Sequence, residues 1–158
     1  MIEFISHSLS DTQKLGNVLS ETIPNGAVVS LEGTLGSGKT ALVRAIAIAN
    51  GESPDNISSP TFVLIEEYTN GIRPIYHFDA YRIADDDEFL ELGPEEYFES
   101  DGITFIEWAD RVINCLPESF IRILAEQIDN QVRKYNISII GDKYNLFMNN
   151  LLSNSIFL

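Results

Sequence analysis

A chain of 158 residues with 44% hydrophobic and 22% charged side chains has the size and composition of one folded domain, which excludes a disordered or fibrous class. Ten basic side chains stand against 24 acidic ones, a net charge of −14, and this excludes a protein that grips nucleic acid directly by neutralising phosphates. No apolar run approaches the roughly 18 residues needed to span a bilayer, so no membrane association is expected.

In chain order, Glu3 is an acid where a secretory leader carries positive charge, and the lone Cys115 cannot form an internal disulfide. Both point to the cytoplasm. Ser10-Asp11-Thr12 ahead of Leu15, Val18 and Leu19 predicts a capped amphipathic helix running to about Thr22, broken by Pro24-Asn25-Gly26. The short apolar run at 27–31 predicts a buried strand. A glycine-rich loop follows, and 41–49 has the composition of a packed helix stopped by Asn50-Gly51. Ser58-Ser59-Pro60-Thr61 reads as a loop, and 62–68 with 75–80 as a hairpin joined through Asn70-Gly71. Short acidic helices are expected at 86–92 and 94–99, a second buried strand at 103–107, and two final strands at 120–125 and 132–140 around Asp129-Asn130. The apolar segment 145–158 has no Gly or Pro and receives no element. This order implies a three-layer α/β fold of P-loop type with a mixed sheet. Residues 1–140 are expected to form the one domain, with 141–158 a tail of unassigned role.

Gly33-Thr34-Leu35-Gly36-Ser37-Gly38-Lys39-Thr40 matches the phosphate-binding pattern G-x-x-x-x-G-K-[ST], in the strand-to-helix context that the motif requires. Gly33, Gly36 and Gly38 let the backbone approach phosphate oxygens. Leu35, Ser37 and Ala41 belong to the same cradle, and the helix start adds positive dipole. Lys39 would reach the β- and γ-phosphates and Thr40 would coordinate Mg²⁺ through its hydroxyl. A P-loop also needs an acid at the end of a nearby strand. Asp79 closes Ile75-Tyr76-His77-Phe78-Asp79 and Glu107 closes Ile103-Thr104-Phe105-Ile106-Glu107, and spacing leaves both as candidates for the metal. His77 reads as a packed strand side chain and not a base. Trp108 reads from its neighbours as core. Ser59-Pro60-Thr61 lies where a γ-phosphate-sensing switch loop could sit, although a simple turn is the plainer local reading. Eleven acids and no Lys or Arg fall between 83 and 110, a solvated surface or a docking face for a basic partner.

Taken together, Leu31 to Thr40, Ser59-Pro60-Thr61-Phe62, Glu66-Glu67-Tyr68, His77-Phe78-Asp79-Ala80-Tyr81-Arg82 and Ile106-Glu107-Trp108 resemble the bacterial TsaE (YjeE) family over about residues 5–140. The resemblance implies an ATPase that supports threonylcarbamoyl transfer to N6 of adenosine 37 in tRNAs reading ANN codons. Its partners would be TsaD and TsaB, with tRNA met only through that complex. Carried over, the P-loop binds ATP, Thr40 and Glu107 hold Mg²⁺, and Asp79 serves the attacking water or the metal. Thr61 belongs to the switch loop, Trp108 lies near the site, and Ser10, Thr12 and Arg133 flank the adenine. ATP in place of GTP follows from the same resemblance. Two rivals share the P-loop: a small-molecule kinase, which would need an arginine-bearing lid, and a nucleotide-dependent binding module with negligible turnover. Six scattered Arg argue against the first, and two strand-end acids argue against the second.

Overall fold

The computed structural model describes residues 1–58, 60 and 63–157, so Ser59, Thr61, Phe62 and Leu158 lie outside the described residues, and with them the proposed switch-loop threonine. The first strand, β1 (Ile2–Ser6), was not expected from the sequence. Helix α1 (Leu9–Thr22) begins earlier than the sequence suggested, because Ser8 is its cap and accepts the Asp11 N–H at 3.1 Å. Next come β2 (Val28–Glu32) and α2 (Lys39–Ala49), with the glycine loop between them. The hairpin is β3 (Ile65–Tyr68) and β4 (Ile75–Asp79), followed by the short helices α3 (Asp86–Glu91) and α4 (Pro94–Phe98). After β5 (Ile103–Glu107) a 3-10 segment, Ala109–Cys115, leads to β6 (Phe120–Gln127) and β7 (Arg133–Ile140). The apolar segment left unassigned forms α5 (Asn145–Leu152) and a 3-10 turn at Ser155–Phe157.

One seven-stranded sheet runs β1-β7-β6-β2-β5-β4-β3. Strands β6, β2, β5 and β4 are mutually parallel, while β3 and β7 pair antiparallel with their neighbours and β1 antiparallel with β7. The sheet is mixed, as the hairpin implied. Side chains alternate across it and feed two cores. Val29, Leu31, Phe105 and Ile123 meet Leu15 and Leu19 of α1, Leu42 and Ile46 of α2, and Phe147 and Leu151 of α5 on one face. Val28, Phe78 and Ile106 meet Phe89 of α3 and Val112 of the 3-10 segment on the other. Helix, sheet and helix make three layers, and burial of both sheet faces explains the continuous apolar runs of β2 and β5. The parallel strands end along one edge, and that edge carries the glycine loop, Asp79 and Glu107.

Candidate functional site

The loop between β2 and α2 is anchored before it begins. Glu32 accepts from Arg122 Nε at 3.0 Å and Nη2 at 2.5 Å, a two-pronged pair that holds the end of β2 against β6. Gly33 (φ 135°) and Gly38 (φ 107°) lie in the left-handed region. A Cβ on Gly33 would fall 2.1 Å from the Ala125 carbonyl oxygen, and one on Gly38 2.5 Å from the Tyr135 hydroxyl. Both positions therefore require glycine on conformation and on space. Gly38 caps α2 with no side-chain bond, leaving the first N–H groups of the helix for a ligand.

Lys39 is buried and folds back on its own loop. Its Nζ donates to the carbonyls of Gly33 (2.7 Å) and Thr34 (2.8 Å) and lies 4.2 Å from the centre of the Trp108 ring. Burial pushes the Lys39 ammonium below the ordinary lysine range, against the pull of Glu107, Asp79 and Asp110. Trp108 itself has φ 58° and a half-buried ring packed at a tilt of 43° against Tyr81, with centroids 4.9 Å apart. The local reading of Trp108 as core is thus corrected: a left-handed turn straight after β5 swings the indole to the cleft, while its other side packs on the second core.

Thr40, next on α2, donates from Oγ1 to Glu107 Oε1 at 2.6 Å. The same oxygen lies 2.9 Å from Nε2 of His77, which is 1% exposed. Burial raises the Glu107 carboxyl, but hydrogen bonds from His77 and Thr40 and the charge of Lys39 outweigh it and hold the group below the usual carboxylate range. Asp79 is the register partner of Glu107 on the next strand, and its Oδ1 accepts the Tyr81 N–H at 2.9 Å. Hydroxyl and two carboxylates form a hard-oxygen donor set, and among the described residues no group of three or more His, Cys, Asp or Glu makes a metal cage by itself. That set suits Mg²⁺ bound together with phosphate oxygens.

These groups line one cleft of about 830 Å³. Leu35, Gly36, Ser37, Gly38, Lys39, Thr40 and Ala41 line it together with Asp79, Glu107 and Trp108. Ser10, Thr12 and Arg133 line it too, as do Ser6, Ser8 and Tyr135. Gly33 is not part of the lining, and its carbonyl accepts from Lys39. Arg133 Nε donates to the Gly36 carbonyl at 3.2 Å, and the Tyr135 hydroxyl to that of Gly38 at 3.1 Å.

The TsaE model, described as threonylcarbamoyl adenosine biosynthesis protein TsaE, matches residues 6–135, and every described cleft residue lies within that span. The chain belongs to the TsaE family. TsaE proteins of tRNA threonylcarbamoyladenosine biosynthesis are similar to it throughout: that of Bacillus subtilis is 32% identical, with 89% of this chain and 87% of that protein covered. The Treponema pallidum protein is 38% identical (75% and 87% covered) and the Nostoc protein 42% (80% and 79%). Among solved structures, Bacillus subtilis YdiB superposes with a TM-score of 0.79 at 27% identity, over 96% of this chain and 95% of that one. As a TsaE-family chain it belongs to the tRNA threonylcarbamoyladenosine biosynthesis system. Family motif residues His77 and Tyr81 now have contacts: one touches Glu107, the other packs its ring against Trp108. Sequence reasoning left His77 as packing, and its contact follows only from the adjacency of β4 and β5. Tyr135 was missed as well, since an aromatic in a strand carries no local sign that its hydroxyl meets a loop.

Proposed function

We propose that this chain binds and hydrolyses Mg-ATP in the cleft, in support of threonylcarbamoyl transfer to N6 of adenosine 37 in tRNAs that read ANN codons. The transferase is a TsaD–TsaB-type pair, and tRNA is met in the cytoplasm only through that complex. The observation that carries the reading is the bond between Thr40 and Glu107 at the head of the phosphate loop, with Asp79 beside it. The ATPase chemistry is assigned to residues 1–140, and the segment 141–158, whose Phe147 and Leu151 pack in the first core, is assigned no role in it.

Lys39 is poised to exchange the Gly33 and Thr34 carbonyls for phosphate oxygens, since an ammonium in a buried site gains from a full negative charge. The N–H groups at the start of α2 face the same ligand. Thr40 and Glu107 are the residues that would hold Mg²⁺, and the ion would supply positive charge to the phosphates. Asp79 orients the attacking water and accepts its hydrogen bond. Among the described residues that line the cleft Arg133 is the one arginine, and it is engaged with the carbonyls of Gly36 and Asp129. Charge beyond Lys39 must come from rearrangement or from a partner, so hydrolysis by the chain alone is slow and the transferase pair accelerates it. Steady-state phosphate release, with and without the pair, tests the reading. A phosphorylated acceptor would instead reveal a kinase, and nucleotide-dependent assembly without phosphate release a binding module.

A further inference from the structure

His77 of β4 is buried, stands outside the cleft lining, and has no part in the mechanism above. Its Nε2 is 2.9 Å from Glu107 Oε1, while its Nδ1 has no hydrogen-bond partner among the described residues. A buried nitrogen without a partner costs about 1–3 kcal/mol, so packing alone would favour an apolar ring at this position.

The partner fixes where the proton is. Oε1 of Glu107 meets both the Thr40 hydroxyl and Nε2, and a carboxylate oxygen accepts, so Nε2 carries the hydrogen and donates. Thr40, from α2, donates to the same oxygen, so two elements hold Oε1, and no donor among the described residues is recorded for Oε2. The two donors differ in freedom. Thr40 also lines the cleft, where its lone pairs would serve the metal, whereas His77 is outside the lining and has no second partner among the described residues.

From this arrangement we infer that His77 is a positioning residue: it fixes the Glu107 carboxylate through Oε1 and leaves Oε2 as the oxygen offered to Mg²⁺. The inference rests on the Mg-ATP reading proposed above. A carboxylate with one oxygen tethered loses less freedom on taking a metal, and removal of such an outer partner commonly weakens metal affinity by about 10–100-fold.

ADP binding measured by calorimetry with and without Mg²⁺ tests it in four full-length proteins: wild type, His77→Gln, His77→Asn and Glu107→Ala. Glutamine offers a donor near the Nε2 position and asparagine does not. Metal-free ADP affinity is expected within about twofold of wild type in the two His77 variants. The Mg²⁺ enhancement should fall about 10–100-fold in His77→Asn, remain within about threefold of wild type in His77→Gln, and vanish in Glu107→Ala. An equal Mg²⁺ response of the Asn and Gln variants, with Glu107→Ala still defective, would reduce His77 to packing. If Glu107→Ala keeps the enhancement, the metal-site reading itself fails. Imidazole nitrogen resonances of the wild-type chain give a readout that needs no variant. They should report hydrogen on Nε2 and a shift when Mg²⁺ is added at fixed ADP, and hydrogen on Nδ1 alone would overturn the assignment.

Discussion

Asp79 stands directly opposite Glu107 in the parallel pairing of β4 with β5, and the N–H that follows it, on Ala80, donates to the Glu107 carbonyl at 3.0 Å. The two carboxylates thus share an edge but not an environment. Glu107 is bound to Thr40 and His77, whereas Asp79 Oδ1 takes only the Tyr81 N–H among the described contacts. Unequal effects follow. Glu107→Ala should weaken Mg²⁺-dependent nucleotide binding, since it removes a ground-state metal contact. Asp79→Ala should leave binding within about twofold and lower phosphate release about 10²-fold or more. Mg²⁺ titration at fixed ATP separates them, and the opposite pattern would exchange the two roles.

Lys39→Ala is expected to cut phosphate release by about 10²–10³-fold while the melting temperature stays near that of wild type. The side chain is directed at loop carbonyls and an indole, and contributes no apolar contact to either core. Normal release by a folded variant would remove the phosphate loop from the chemistry.

Trp108 is the only tryptophan, and the Lys39 ammonium sits 4.2 Å from its ring centre. A phosphate ligand draws that charge away, so the fluorescence should change on addition of Mg-ADP. In Lys39→Ala the starting signal should already differ and the ligand response should shrink. A constant signal under conditions where calorimetry shows binding would mean that the lysine does not move.

The depressed Glu107 carboxyl links stability to pH. Its folded-state value lies below the ordinary one, so its stabilising contribution is complete above the unfolded-chain value of about 4.3 and is lost as pH falls through the lower, folded value. The melting temperatures of wild type and Glu107→Gln should differ most near neutral pH and converge in acid. A gap that widens below about pH 4 would contradict the direction of the shift.

The acidic stretch is now resolved into parts. Asp85 caps α3 by accepting the Glu88 N–H at 2.9 Å, and Glu88 accepts the Ala84 N–H at 2.7 Å, so both acids have structural duties. Asp87, Glu91, Glu95 and Glu96 are exposed, and they are the acids we propose for docking a basic partner. Neutralising these four to Asn or Gln should weaken assembly with the transferase pair about tenfold or more at low salt and leave ADP affinity unchanged. Wild-type assembly should weaken as salt rises, over a screening length of about 10 Å at 0.1 M. Salt-insensitive assembly that also tolerates the quadruple variant would confine these acids to solubility.

Local signals were legible and distant ones were not. The phosphate loop, the buried strands β2 and β5 and the carboxylates at two strand ends each follow from a few adjacent residues. Strand β1 escaped because its residue types do not follow its alternating exposure, with Ile5 exposed and Ser6 buried, and its pairing depends on a strand far along the chain. The position of Trp108 required a left-handed backbone turn at a non-glycine residue, which no residue type announces. Helix α5 was missed because an apolar segment without periodic breaks reads equally as tail or helix until Phe147 and Leu151 find the first core.

The pairing of Ile2 with Ile137 also sets an order of assembly. At about 5–20 residues per second a ribosome needs on the order of ten seconds between making β1 and making its neighbour β7. Strands β2, β4 and β5 are all synthesised before β7, so Asp79 and Glu107 can be brought together on an unfinished chain. The cleft lining also includes Arg133 and Tyr135 of β7, which take their places only when β7 docks between β6 and β1. A nascent chain can therefore own its paired carboxylates before the cleft around them is complete.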